Sequence, residues 1–224
     1  MAPVRKAKGV EKVEKIIIPD PNLQVMLAEI RGDVQLVVNK FSAKAREQIM
    51  EEQSKEQADK AKKGTFKEPK NFDELYLAAQ YQSREGWYGL PASAIRASMV
   101  RACTLVGVPM TVARISIFII ADGFDKEDDT PIVRITKGEP VPFYAMVRLP
   151  NGSCDVRVRP KFLPGWEAKP RIRFDANQLT LRGVYNILFR AGLQVGVCEG
   201  RPGSKNSCGC GWGTFELLNQ APKP

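Results

Sequence analysis

The sequence predicts an α+β fold built on an antiparallel sheet. Three observations point there. Short runs of alternating or β-branched residues recur along the chain. Two helical patterns, one after Pro91 and one over 178–191, stand among them without regular alternation. The element order is strand, helical region, strands, helix, strand. With 43% hydrophobic residues in 224, the chain can bury one domain-sized core.

Residues 1–15 mix Lys, Glu and Ala and read as a flexible basic arm, with one domain over 16–224. Leu23 to Ile30 alternates as a strand, 31–33 (Arg-Gly-Asp) reads as a turn, and Val34 to Val38 as a second strand. Ser42 is a candidate N-cap for a helix reaching Lys63, whose second half has almost no apolar face. Asn71 would cap a helix over 72–81 with Leu75, Leu77, Ala78 and Tyr81 on its apolar side. Pro91 opens a core helix carrying Ile95, Met99, Ala102, Cys103 and Val106, and Gly107 stops it. Val112 to Ala121 reads as a strand with Ile115, Ile117 and Ile119 on one face, followed by an acidic loop over 122–129. Strands follow at 132–135, 143–149, 154–158 and 171–174. A helix over 178–191 then points Leu179, Val184, Ile187 and Leu188 inward, and strands at 195–198 and 214–218 close the chain. A ferredoxin-like (RRM-like) βαββαβ core, with a helical insertion over 43–85 and a loop/β insertion over 122–170, is the simplest architecture with this order.

Lys and Arg number 34 against 25 Asp and Glu, a formal charge of +9. Such an excess favours polyanionic partners. Absence of histidine excludes a Ser-His-Asp triad, a Cys-His pair and any His-containing zinc site. Five cysteines, an odd number in a chain this long, and an opening without an apolar segment predict a reducing cytoplasm. The longest apolar run, near Ile115 to Ala121, is too short to span a bilayer.

The richest segment is Gly196–Gly213, with six glycines. Glycines let backbone amides approach a ligand and form an anion-binding nest. Here that would involve Gly200, Gly203 and Ser204, with Arg201 and Lys205 adding charge and Trp212 a stacking face. The segment lacks the P-loop pattern and does not lead from a strand into a helix. The alternative is a hairpin connection that holds no ligand. Cys198, Cys208 and Cys210, spaced C-x9-C-x-C, match no zinc pattern, so neither metal nor cofactor is expected. Arg157 and Arg159, with Lys161, and then Arg171 and Arg173 fall in pairs on one strand face each. Side by side, those strands would form a basic stripe near Phe162 and Trp166. Arg96 and Arg101 on the helix after Pro91, and Lys40 and Lys44, read either as phosphate contacts or as ordinary solvent-facing charge.

The glycine-rich loop GVCEGRPGSKNSCGCGWG, between the last helix and the last strand, resembles that of the RAMP superfamily, RNA-binding backbone proteins of CRISPR effector complexes. The run Tyr88–Cys103 is similar to the proline-then-basic-helix stretch of those subunits. The chain also resembles uncharacterised proteins from phage replication or recombination regions, which would place it in the cytoplasm of a bacterial host cell. The RAMP resemblance implies single-stranded RNA or DNA as partner and self-association into a filament-like multimer along the strand. It puts Arg96 and Arg101 on a groove helix and Arg201 and Lys205 in the glycine loop. The acidic loop or 155–169 would be a protruding segment. RNA-processing members rely on histidine, so the resemblance implies a non-enzymatic binder. Two alternatives stay open: a metal-dependent nuclease using Asp122, Asp125, Asp128 or Asp129, and a structural or inhibitory assembly protein that uses no nucleic acid.

Overall fold

The computed structural model describes residues 20–40, 71–148, 152, 154–204 and 209–222. The chain enters through β1 (Leu23–Leu27) and β2 (Ile30–Gly32), two parts of one extended run broken at Ala28 and Glu29. Arg31 and Gly32 are therefore strand, and the bend expected at 31–33 comes one step later, at Asp33 and Val34. Of the strand expected at 34–38, only β3 (Leu36–Val37) forms.

Helix α1 (Phe72–Ala78) begins at Asn71, whose side chain accepts from the amides of Asp73 and Glu74. It is shorter than its pattern and none of its residues is buried; Leu75 and Leu77 are exposed. After β4 (Gly89–Pro91) comes α2 (Ala92–Cys103), whose Ile95, Met99, Ala102 and Cys103 are fully buried. A 3-10 turn, Thr104–Val106, follows, and Gly107 ends it at φ 74°.

The stretch expected as a single strand over 112–121 divides. Pro109 starts α3 (Met110–Ser116), and only β5 (Ile117–Ile120) is strand. Ala113 and Ser116 turn inward, and Ile115, expected to share a strand face with Ile117 and Ile119, stands 72% exposed while Ile117 is buried. β-Branched composition is a weak signal, and here the packing of one short turn overrides it.

Strands β6 (Gly123–Phe124), β7 (Pro131–Lys137), β8 (Pro140–Arg148), β9 (Cys154–Phe162), β10 (Glu167–Ala168) and β11 (Arg171–Asp175) follow. Helix α4 (Leu181–Arg190) is capped by Thr180 and runs into a π-helical turn, Ala191–Val195; the strand expected at 195–198 does not form. Gly192 lies so close to Phe215 that a Cβ there would stand 2.1 Å from the Phe215 carbonyl oxygen. The last strand is β12 (Phe215–Leu217).

Every strand pairing among the described residues is antiparallel. One sheet runs β1-β11-β5; a second runs β12-β2-β10-β7-β4, with β6 beside β7; a third runs β3-β9-β8. Because β1–β2 and β10–β11 are each nearly continuous, the first two sheets read across as one set: β12, then β1–β2, then β10–β11, then β5 and β7. Helices α2 and α4 pack against each other over its inner side, where Ile117, Ile172 and Phe174 meet Ile95, Met99, Val184 and Leu188. The fold is thus α+β with antiparallel sheets. No helix among the described residues is long and apolar enough to cross a membrane.

Candidate nucleic-acid interface

Helix α2 buries one side and leaves Arg96, Ala97 and Arg101 on the other. Helix α3 brings Arg114 towards them. The glycine-rich loop, leaving the π-turn, adds Arg201 and Gly203. Between these three elements lies an open cleft of about 530 Å³. Four arginines line it, Arg96, Arg101, Arg114 and Arg201, and no carboxylate does so among the described residues.

The four differ in how firmly they are held. The Arg96 Nε donates to the Ile117 carbonyl at 2.8 Å, and its Nη2 donates to the Arg114 carbonyl. Arg201 donates to the Cys198 carbonyl at 2.6 Å. Arg101 and Arg114 are exposed, and no carboxylate among the described residues pairs with them. Like charges converging on one concavity raise the local potential for an anion. Arg114 was missed in the sequence because its segment reads as a strand; Pro109, a helix-opening residue five positions earlier, was the available signal.

In its described parts, 196–204 and 209–213, the loop is a hydrogen-bonded scaffold rather than an open nest. Gly203 N–H donates to Val195, Ser204 N–H to Arg201, Val197 N–H to Gly213, Glu199 N–H to Val37 and Trp212 N–H to Gly200. Those amides, Gly203 and Ser204 among them, are therefore spent within the protein. Gly200 sits at φ +69° under the Trp212 ring, which also meets Phe143 edge-to-face at 5.5 Å. Trp212 is thus a packed, half-buried residue that shapes the loop, not an open stacking surface. The Cys198 thiol is pushed up to about 12 by burial, with Glu199 also raising it and Arg201 opposing.

The two paired-arginine strands do not lie side by side. Strand β9 pairs with β3 and β8, whereas β11 pairs with β1 and β5, in another sheet. Phe162 and Trp166 are core residues, almost completely buried. Each arginine pair has its own setting. Arg159 faces Glu199 of the glycine loop at 3.3 Å, and Lys161 lies 5.0 Å from the Phe143 ring, so these two adjoin the loop near Trp212. Arg157 is 3.6 Å from Asp155. Arg171 donates to the Ala121 carbonyl and to Asp122. Arg173 is exposed and lies over the Phe118 ring, as does Arg96.

Lys40 is corrected outright. Its ammonium is buried and bonds Asp125 at 2.5 Å and Glu127 at 2.9 Å, so it cannot meet a phosphate. The acidic loop is folded around that pair. Asp125 also accepts from the amides of Gln82, Glu127 and Asp128; Asp122 accepts from Arg171 and the Arg134 amide; Asp129 pairs with Arg84. Among the described residues no three metal-ligating side chains gather. Lys44, Lys205 and Cys208 lie outside the described residues.

No protein-family model matches this chain, and no curated protein matches it in sequence. Among solved structures the chain is similar to Cmr6 from Pyrococcus furiosus, at 10% identity and a TM-score of 0.41, with 88% of this chain and 99% of that chain covered.

Proposed function

We propose that this protein binds single-stranded nucleic acid, RNA or DNA, without catalysis, by holding its phosphates in the arginine-lined cleft, and that copies assemble along the strand. The observation that carries the reading is the convergence of Arg96, Arg101, Arg114 and Arg201 on one open cleft that no carboxylate among the described residues lines. A cleft of one sign gathers phosphate and releases condensed counterions, with little dependence on base sequence.

We take the core as ferredoxin-like and RAMP-like. The strand order supports this: β12, β1–β2, β10–β11 and β5 lie side by side, and in the sequence α2 falls between β1–β2 and β5, and α4 between β10–β11 and β12. The glycine-rich loop falls between the last helix and the last strand, as that resemblance requires. The long β8–β9 hairpin, which includes much of 155–169, is then the protruding segment. The acidic loop, wrapped on Lys40, is not.

The test is binding of a fluorescent single strand at low salt to the wild type and to the Arg101→Glu/Arg114→Glu variant. Each charge-assisted contact is worth about 1.5–3 kcal/mol, so the variant should bind at least about a hundredfold more weakly. Equal affinity would remove the cleft from the account. The strand should remain whole in the presence of Mg²⁺ or Mn²⁺; its cleavage would favour the nuclease reading.

A further inference from the structure

We infer that the outer face of the β1-β11-β5 sheet is a second contact surface for the same nucleic-acid strand, taking bases where the cleft takes phosphates. The inference rests on the cleft reading above.

Cross-strand register builds this face row by row. Val25, Arg173 and Phe118 stand opposite one another, and Leu27, Arg171 and Ile120 form the next row; Leu23 and Asp175 stand at the end. Side chains alternate along a strand, so these residues point away from Met26, Ile172, Phe174 and Ile117, all of which are buried. Leu23, Val25 and Leu27 are 54%, 55% and 57% exposed. A sheet with one face in water normally carries polar residues there, and clustered exposed apolar side chains mark a contact surface.

The chemistry beside them selects the partner. The Arg96 and Arg173 guanidinium groups lie 5.2 Å and 5.4 Å from the Phe118 ring centroid. Planar cations and an aromatic ring are what unstacked bases pack against. Arg173 meets no carboxylate among the described residues. The carboxylate in these rows, Asp175, stands at their end and accepts from the Asn177 amide. Val25, Leu23 and Leu27 offer nothing to a phosphate but give flat apolar contact to a base.

Arg96 joins the two surfaces. It lines the cleft, its Nε caps the Ile117 carbonyl on the outer edge of β5, and its guanidinium lies over Phe118 on the sheet face. A strand leaving the cleft past Arg114 therefore meets Phe118 and Arg173 directly on rounding β5.

The experiment uses the full chain and two oligouridylates, one short enough to fill only the cleft and one several times longer, the longer one also carrying photoreactive 4-thiouridine. The long oligomer should crosslink to peptides containing 23–27 and 171–175 as well as to cleft peptides. Arg173→Glu and Val25→Ser should each weaken the long oligomer by about tenfold while leaving the short one unchanged. Both positions are exposed, and a thermal melt confirms folding. Crosslinks confined to the cleft, or equal affinities of the variants for the long oligomer, overturn the inference while the cleft reading stands. A change in self-association mass without a change in binding overturns it too, because the face would then be a protein contact. Failure of the wild type to bind even the short oligomer defeats the cleft reading and this inference with it.

Discussion

Replacing Lys40 or Asp125 should damage the fold and leave nucleic-acid binding intact. The side chains of this pair are 2% and 0% exposed, so neither charge has water to fall back on. Removing one member of a buried ion pair costs about 3–5 kcal/mol. The two directions are not equivalent. In Lys40→Met the Asp125 carboxylate keeps the amides of Gln82, Glu127 and Asp128, which places the loss near the lower end, about 3 kcal/mol. In Asp125→Ala those three amides lose their acceptor and the Lys40 ammonium keeps only Glu127, so the loss should approach about 5 kcal/mol. The pH dependence follows from the sign of the lysine shift. Burial by itself would lower the Lys40 pKa, but the hydrogen bonds it donates to Asp125 and Glu127, with the attraction of their charges, outweigh it and hold the ammonium above the usual 10.5. The contribution is therefore fully present below that value and is lost only as pH climbs through the higher folded-state value. Urea denaturation at neutral pH reads the difference directly. Folded Lys40→Met should bind a single strand within about twofold of the wild type. Losses below about 1 kcal/mol in both variants would refute the buried-pair argument. A large loss of binding by stably folded Lys40→Met would restore Lys40 as a phosphate contact.

Gly200→Val should destabilise the glycine loop, because it places a side chain at φ +69° and a Cβ 2.2 Å from the Trp212 ring. Left-handed strain of about 1–2 kcal/mol and overpacking of about 1–3 kcal/mol add, and a lowered melting temperature with altered tryptophan fluorescence would record them. Cys198, its thiol raised to about 12, should resist iodoacetamide at neutral pH while the exposed Cys154 and Cys210 react first. Peptide mass mapping over a time course checks this, and Cys198 labelling as fast as Cys154 would contradict the burial.

The elements legible in the sequence are those written by local signals. Pro91 and Gly107 bracket one core helix, and Asn71 caps a surface helix, as their positions predicted. The α+β class follows from the order of such pieces. What escaped depends on partners distant in sequence. Nothing near Lys40 announces Asp125, 85 residues away, and an isolated lysine after a strand reads as surface charge. The Arg157/Arg159 and Arg171/Arg173 pairs each share a strand face, as spacing requires, but strand spacing does not say which sheet a strand joins. The glycine loop was legible as a special backbone. Its role as a hydrogen-bonded scaffold presenting Arg201 became visible only once Val37, Gln35 and Val195 were seen to accept its amides. Arg114 was hidden by a β-branched run that folds as a helix.

The most direct measurement is the affinity of the wild-type protein for a labelled single strand across a salt series. Each phosphate neutralised on a single strand contributes about 0.7 to the slope of log affinity against log salt. Engagement of Arg101 and Arg114 alone predicts a slope of about −1.4, and engagement of all four cleft arginines about −2.8. Tight binding at low salt with a slope in that range is the expected result. Absence of binding at low salt, or binding indifferent to salt, would contradict the account.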